Sequence, residues 1–488
     1  MPSGPAAQVA PAPGHGPGDL GAVLIRQGGR RSPEPPWPSA GQNVAAKVIT
    51  KRGEGVADDR RWDRRSLLRG AAVVAGAAAT APLLGEAVPA LAGGGDADAL
   101  FRAGKFEQAG RAYDEILKKD PANVHAARRR GHVGLLANQF PEAEKYLATA
   151  LKSAPGDQET NRLLADCYTR QDKFSLAAPR WRAAGEESYA KLFAAFRGEP
   201  YQIHGDTARV PWQQMDPMPL VKASLNGGPP IDLSFYTRVA SLNVSAKAAK
   251  DAGLVAVTVD TFEFQGRTVT YYSGVLDSFK LGGIELRNIP VAWSGGEDGP
   301  ESGDGLIGTW ILYHFLTTVD YAGRSLILRR RTPETAGKAR TAAARSGAGP
   351  LPLWLAQEHL LFSRGSVAGS GARVVALNIG GTGEMTASMT EETARRLRIR
   401  TDYDRPIETS AGGRFLTAYP CYPEEIRLGG ATARDAYCYA DSRPGGPGGP
   451  GREGFDVLAN FSHSFYKPYH VTLDFTDMKV YLARGKAA

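Results

Sequence analysis

Ten residues in the last quarter of the chain carry the arrangement with the most chemical promise. In Val374–Gly383, Val-Val-Ala-Leu-Asn-Ile-Gly-Gly-Thr-Gly, four apolar residues read as a buried strand that delivers Asn378 into a glycine turn. The following stretch, Met389–Ile399, opens on a helix N-cap signal, Thr390 with two glutamates behind it. An amide donates and accepts hydrogen bonds but cannot take a proton near neutral pH. Asn378 therefore suits recognition better than proton transfer. Gly380 and Gly381 are a weak glycine signal on their own, and phosphate-binding and Ser/His/Asp motifs are absent. The eight histidines are scattered, with no His-x-His or His-Glu-x-x-His grouping, so neither a metal nor a cofactor is expected. Two cysteines are placed for covalent chemistry. If Gly429-Gly430 is a two-residue hairpin turn, Cys421 and Cys438 stand opposite each other. In an oxidising compartment they would form a cross-strand disulfide.

The elements that must position these residues come in two copies. From about Tyr201 the pattern is β: alternating apolar residues and Gly-Gly turns. The first copy runs through Leu220–Leu225, Ile231–Phe235, the helical stretch Val244–Leu254, Val257–Phe264, Thr268–Ser273, Val275–Leu281 and Ile284–Trp293. It closes through Asp304–Gly308, Thr318–Tyr321 and Ser325–Arg329. The second copy, His359–Leu482, repeats the order with Val374–Leu377, Met389–Ile399, Phe415–Leu428, Ala433–Tyr439, Phe455–Ala459 and Val471–Phe475. Between them Thr332–Pro350 reads as a polar, Ala/Gly-rich linker.

This shared order resembles the duplicated, two-lobed aspartic proteases of the pepsin and retropepsin type, over roughly the last 290 residues. In that family a hydrophobic strand of each lobe delivers Asp-Thr-Gly-Ala, and the two acids share one water between them. In the second lobe the matching residues are Asn378, Ile379, Gly380 and Gly381. In the first lobe, spacing back from Ala252-Gly253-Leu254 puts Tyr236-Thr237-Arg238-Val239 there, and a shift of one residue would put Phe235 at the acid position. Neither lobe supplies an acid. Asp232, Asp260, Asp304 and Asp456 are the nearest alternatives, each read as an ordinary turn or strand carboxylate.

The resemblance implies a groove that holds an extended peptide beneath hairpin flaps. The flap positions carry Tyr271 and Tyr272 in one lobe and Tyr419 and Tyr422 in the other. With Tyr236, Thr237, Arg238, Asn378, Gly380 and Gly381 on the floor, the cleft would be aromatic and hydrogen-bonding. A peptide or small-molecule ligand is the leading expectation. An active enzyme is the alternative, either a peptidase with displaced acids or a non-proteolytic catalyst using the cleft tyrosine and asparagine.

Upstream, a period of 34 runs from about Asp96 to Tyr189. Gly104, Phe106, Ala109, Tyr113 and Pro121 recur as Asn138, Phe140, Ala143, Leu147 and Pro155, then as Asp172, Phe174, Ala177 and Trp181. Gly131 and Ala165 hold the small-residue place of the first helix. This resembles tetratricopeptide repeats, in which small residues let paired helices pack closely. The resemblance implies either a surface for a partner protein or a helical shoulder packed on the next domain. Cys167 reads as a helical core residue.

The first 62 residues are rich in Pro, Gly and Ala without periodicity. Asp63-Arg64-Arg65-Ser66-Leu67-Leu68-Arg69, the apolar run Gly70–Leu84 and Ala90-Leu91-Ala92 together resemble a twin-arginine export signal. That implies a periplasmic or extracellular protein, touching the membrane only if the segment stays uncleaved. Of 488 residues 42% are hydrophobic and 23% charged, ordinary for globular domains. About half of the net charge of +8 belongs to the first 92 residues, which excludes nucleic acid as a partner. The expected architecture is an α + β multidomain chain. It comprises a leader (1–62), an export signal (63–92), a short α-solenoid of about three repeats (96–190), a first lobe (201–331), a linker (332–350) and a second lobe (351–488). The two lobes are expected to form a two-lobed all-β pepsin-like acid-protease fold.

Overall fold

The computed structural model describes residues 94–485 except 265–266, 296–302, 358, 382–383, 412–413 and 443–452. The leader and export signal expected from the sequence lie outside the described residues. Seven helices come first: α1 (Gly94–Arg102), α2 (Phe106–Lys119), α3 (Val124–Leu136), α4 (Phe140–Ser153), α5 (Gln158–Thr169), α6 (Phe174–Ala183) and α7 (Glu187–Ala195). The first six form three antiparallel pairs. Ala109, Ala143 and Ala177 are fully buried on the second helix of each pair, and Tyr113, Leu147 and Trp181 are buried beside them. A Cβ on Gly131 would stand 2.7 Å from Leu147 Cγ, so the small residue sets how closely α3 approaches α4. Asn123 and Asp157 cap α3 and α5 by accepting from the Ala126 and Thr160 amides.

The recurring positions Gly104, Asn138 and Asp172 end the first helix of each pair with φ of 72°, 54° and 58°, the left-handed turn that glycine, asparagine and aspartate tolerate best. All three also touch the β region. Arg364 Nη2 donates to the Gly104 carbonyl at 2.9 Å. Asn138 Nδ2 lies 3.3 Å from Tyr313 Oη, and Asp172 pairs with His314 at 3.1 Å. Between them Arg170, buried with Asp166, donates to the Leu135 and Leu355 carbonyls. Phe101 and Phe106 pack on Phe455, and Tyr189 and Phe193 of α7 pack on Trp310. One edge of the solenoid is thus built into the rest of the molecule.

The remainder is mostly β. A six-stranded sheet takes three strands from each copy, in the order Leu351–Pro352, Lys479–Arg484, Tyr469–Asp474, Phe315–Asp320, Ser325–Arg330, Thr207–Pro211. Its centre pairs the copies directly and antiparallel, Thr317 opposite Leu473 and Asp320 opposite His470. Each copy adds its own sheet with the same wiring. In the first, Ile231–Phe235 runs parallel to Gly305–Ile307, which pairs antiparallel with Leu242–Val244. In the second, Arg373–Leu377 runs parallel to Asn460–Phe461, which pairs antiparallel with Ala387–Thr390. Each also carries a long hairpin, Ala256–Phe264 with Arg267–Leu281 and Ile407–Ala411 with Arg414–Tyr422. The duplicated order of parts read from the sequence is therefore a duplicated topology.

Within the linker between the copies, Pro333–Arg345 is a helix, opened by a capping box between Thr332 and Thr335 with proline in its first turn. The acids Asp304 and Asp456, each just before an apolar pair in the sequence, are not counterparts in the fold. Gly305 lies opposite Leu233 three residues before Tyr236, whereas Asn460 lies opposite Ala376 two before Asn378. That register aligns Asp304 with Leu458.

Candidate functional site

The two turns meet back to back at the lobe boundary. Tyr236 N donates to Ile307 O at 3.0 Å, and Asn378 N donates to Phe461 O at 2.8 Å, the same bond in each lobe. Tyr236 and Asn378 thus hold equivalent places at the ends of the floor strands, and the offset that would put Phe235 there does not occur. Across the boundary, Thr237 Oγ1 donates to Leu377 O at 2.8 Å and accepts from Ile379 N at 2.9 Å. Thr237 N in turn donates to Ile379 O at 3.1 Å. Gly380 (φ 78°) presses against Phe235, whose carbonyl oxygen would sit 2.1 Å from a Cβ there, so the close approach demands glycine.

At these turns Tyr236 and Asn378 are buried, and Arg238 is half-buried with no hydrogen bond or ion pair among the described residues. Among the described residues Asn378 Oδ1 has no hydrogen-bond partner, an unsatisfied acceptor in a buried position. Gly381 lies directly against the Asn378 side chain, its missing Cβ leaving the room.

The flap tyrosines disperse. Tyr271 bonds the Asn243 side chain, and burial raises its hydroxyl pKa. Tyr272 stacks on Trp293 at 5.7 Å, and Tyr419 meets Tyr403 at 5.0 Å. Tyr422 lies beneath the Arg400 guanidinium and accepts from Arg405 Nη2 at 2.9 Å, in a surface cavity shared with Thr401 and Asp402. Four cleft candidates thus make their contacts with flap and sheet neighbours, while Tyr236, Thr237, Asn378, Gly380 and Gly381 belong to the paired turns.

The alternative acids are engaged elsewhere. Asp260 accepts from Ser188 of α7 at 2.5 Å, and Asp232 pairs with Lys222. Asp304 accepts the Asp232 amide, and Asp456 lies 3.8 Å from Arg373. No group of three or more His, Cys, Asp or Glu that could hold a metal occurs among the described residues. Cys421 and Cys438 are direct cross-strand partners, and both are free, buried thiols. Burial pushes the Cys421 and Cys167 thiols up to about 12, first through desolvation and then through nearby carboxylates.

One group of residues escaped sequence reasoning. His463, fully buried, follows the second-lobe strand Asn460–Phe461, with Nδ1 3.3 Å from Tyr321 Oη and Nε2 3.2 Å from Asp216 Oδ1. Tyr321 Oη accepts the Gly380 amide at 3.2 Å, which ties this chain to the Asn378 turn. Nothing in the spacing of Asp216, Tyr321 and His463 could have announced it, since folding alone brings them together.

Among known proteins, the tetratricopeptide repeat family matches residues 96–158 and 135–191. No curated protein matches the chain. Among solved structures, the chain is similar to a retropepsin-like aspartic protease from Rickettsia conorii. That match is 16% identical, covers 27% of this chain and 96% of that chain, and has a TM-score of 0.21.

Proposed function

We propose that this is an exported, two-lobed relative of the pepsin-like proteases without the catalytic acids. Its inter-lobe cleft binds an extended peptide or small ligand, and the tetratricopeptide repeats offer a surface to a protein partner. The observation that carries the reading is the equivalence of Tyr236 and Asn378 at the ends of the two floor strands, with the joint between the turns intact. A working dyad needs two carboxyls there, one protonated and one ionised. A phenol and an amide supply neither at neutral pH. What they do supply is hydrogen bonding. The half-buried Arg238 guanidinium would take a carboxylate or carbonyl of the ligand, and the buried Asn378 acceptor would take an N–H from it once the glycine turn over it yields.

The test uses the chain from Gly93 with a diverse peptide library between pH 3 and 8, scored both for cleavage and for capture by mass spectrometry. Retained, uncleaved peptides are expected, with retention lost at least tenfold in Asn378→Ala and in Arg238→Ala. Cleavage that disappears in Asn378→Ala would overturn the reading and make the chain an enzyme.

A further inference from the structure

The joint between the two turns is lopsided. Thr237 of the first lobe contributes a hydroxyl that both donates to and accepts from the second-lobe turn. Its counterpart is Ile379, fully buried, which has no hydroxyl to return. The second-lobe turn nevertheless receives another side-chain bond from the first-lobe chain, at the next residue, where Tyr321 Oη accepts the Gly380 amide.

Behind Tyr321 the bonding continues across the boundary: Asp216 and Tyr321 belong to the first-lobe chain, Gly380 and His463 to the second. The protons can be assigned along it. The Gly380 amide can only donate, so the Tyr321 hydroxyl is free to donate to His463 Nδ1. His463 then carries its proton on Nε2 and donates to Asp216. Lys467 holds the other side of that carboxylate at 2.6 Å. The titratable groups facing His463 are thus Asp216, Lys467 and Tyr321, with Tyr466 stacked on the far side of Tyr321. Burial first, then Lys467, keeps the imidazole neutral, lowering it to about 4, as this assignment requires.

Among the described residues the opposite side shows no matching chain. Thr309 stands where His463 does, two residues past the matching strand pair, and its hydroxyl donates to Val239 O of its own lobe. Phe475, following Asp474 as Tyr321 follows Asp320, has no hydroxyl. Among the described residues, this Tyr321–His463–Asp216 bonding is found at the turn that bears Asn378.

We propose that Tyr321, held by His463 and Asp216, is a positioning residue. In this reading it is a second bolt across the lobe boundary that replaces the hydroxyl Ile379 lacks and fixes the turn on which Asn378 stands. The inference does not depend on what the cleft binds.

The test is hydrogen exchange at the Gly380 amide in the chain from Gly93. Tyr321→Phe is expected to speed exchange at Gly380 about tenfold or more. Adding Ile379→Thr, which restores a hydroxyl on the second-lobe side, is expected to return most of the protection to the turn. Unchanged exchange in Tyr321→Phe would overturn the proposal, as would loss that Ile379→Thr leaves unrepaired. Should Tyr321→Phe fail to fold, nitrogen NMR of the unsubstituted protein decides. A neutral His463 protonated on Nε2 at pH 7 is required, and protonation on Nδ1 would sink the idea.

Discussion

With an amide at position 378, the titratable chemistry near this turn lies in the layer behind it. His463 is buried and neutral, with its pKa lowered from 6.5 to about 4, chiefly by desolvation. The unfolded chain therefore binds this proton at a higher pH than the folded one. The His463 contribution is intact above about pH 6.5 and is lost progressively as pH falls towards 4. The full loss is roughly 3 kcal/mol. Unfolding followed against pH should accordingly show a shallower acid slope in His463→Gln than in the parent chain between pH 6.5 and 4. Equal slopes would contradict the assignment. His132, buried in the repeats among four arginines and lowered to about 3, adds a second such dependence that the His463 substitution leaves in place. At the cysteines the direction is reversed: burial raises the thiol pKa, so thiolate is scarce. Folded protein at pH 8 should resist iodoacetamide at Cys167, Cys421 and Cys438 and label fully once unfolded, as read by intact mass. The two turn positions could be read from the sequence because each follows an apolar strand at a fixed place in a repeated order. The Asp216–His463 contact could not, since its partners lie 247 residues apart and neither sits in a recurring pattern.

Among elements, the repeats were the most legible because their signal is periodic: a small residue every 34 places has one physical reading, two helices in close contact. What the period conceals is where the array points its edges. Gly104, Asn138 and Asp172 have the chemistry of solvent turns, yet each is spent on the β region. The helix Pro333–Arg345 was missed for the opposite reason. Its capping residues stand in the sequence, but alanine and glycine give no apolar stripe to fix a period. The Cys421–Cys438 register follows from the Gly429-Gly430 turn because the hairpin Glu425–Leu428 with Ala431–Arg434 keeps the same pairing. Arg170 shows how firmly the array is tied. Its guanidinium is 1% exposed, bonded to Asp166 and to carbonyls on both sides of the domain boundary. Arg170→Ala strands the Asp166 carboxylate and two carbonyls in a buried place. It should cost about 3–5 kcal/mol of stability, lowering the melting temperature of the whole chain. A change confined to the helical signal would mean that the contact is local to the repeats.

At the scale of the molecule, these contacts bear on whether the repeats and the β region are separable modules. A partner-recruiting array joined by a loose linker would leave each half intact when cut. Here the hydrophobic core runs through the boundary. Phe101, Phe106, Val374, Phe362 and Phe455 share one buried cluster. Phe174, Trp181, Tyr189 and Phe193 share another with Trp310, Ile311 and the lobe interiors. Removing α1–α7 would expose the aromatic faces of both clusters and unpair Arg364, Tyr313 and His314, leaving apolar surface of the kind that drives association. A fragment of residues 199–485 should therefore be aggregated or bind a hydrophobic dye strongly, as seen by size-exclusion chromatography and dye fluorescence. A monodisperse fragment with a cooperative melt would show instead that the solenoid is an appended module. In that case its docked edge would be available for exchange with a partner. If the fragment fails as expected, any partner of the repeats must bind a face turned away from the Gly104–Asn138–Asp172 edge. The array then acts first as a buttress for the strands that carry Tyr236 and Asn378.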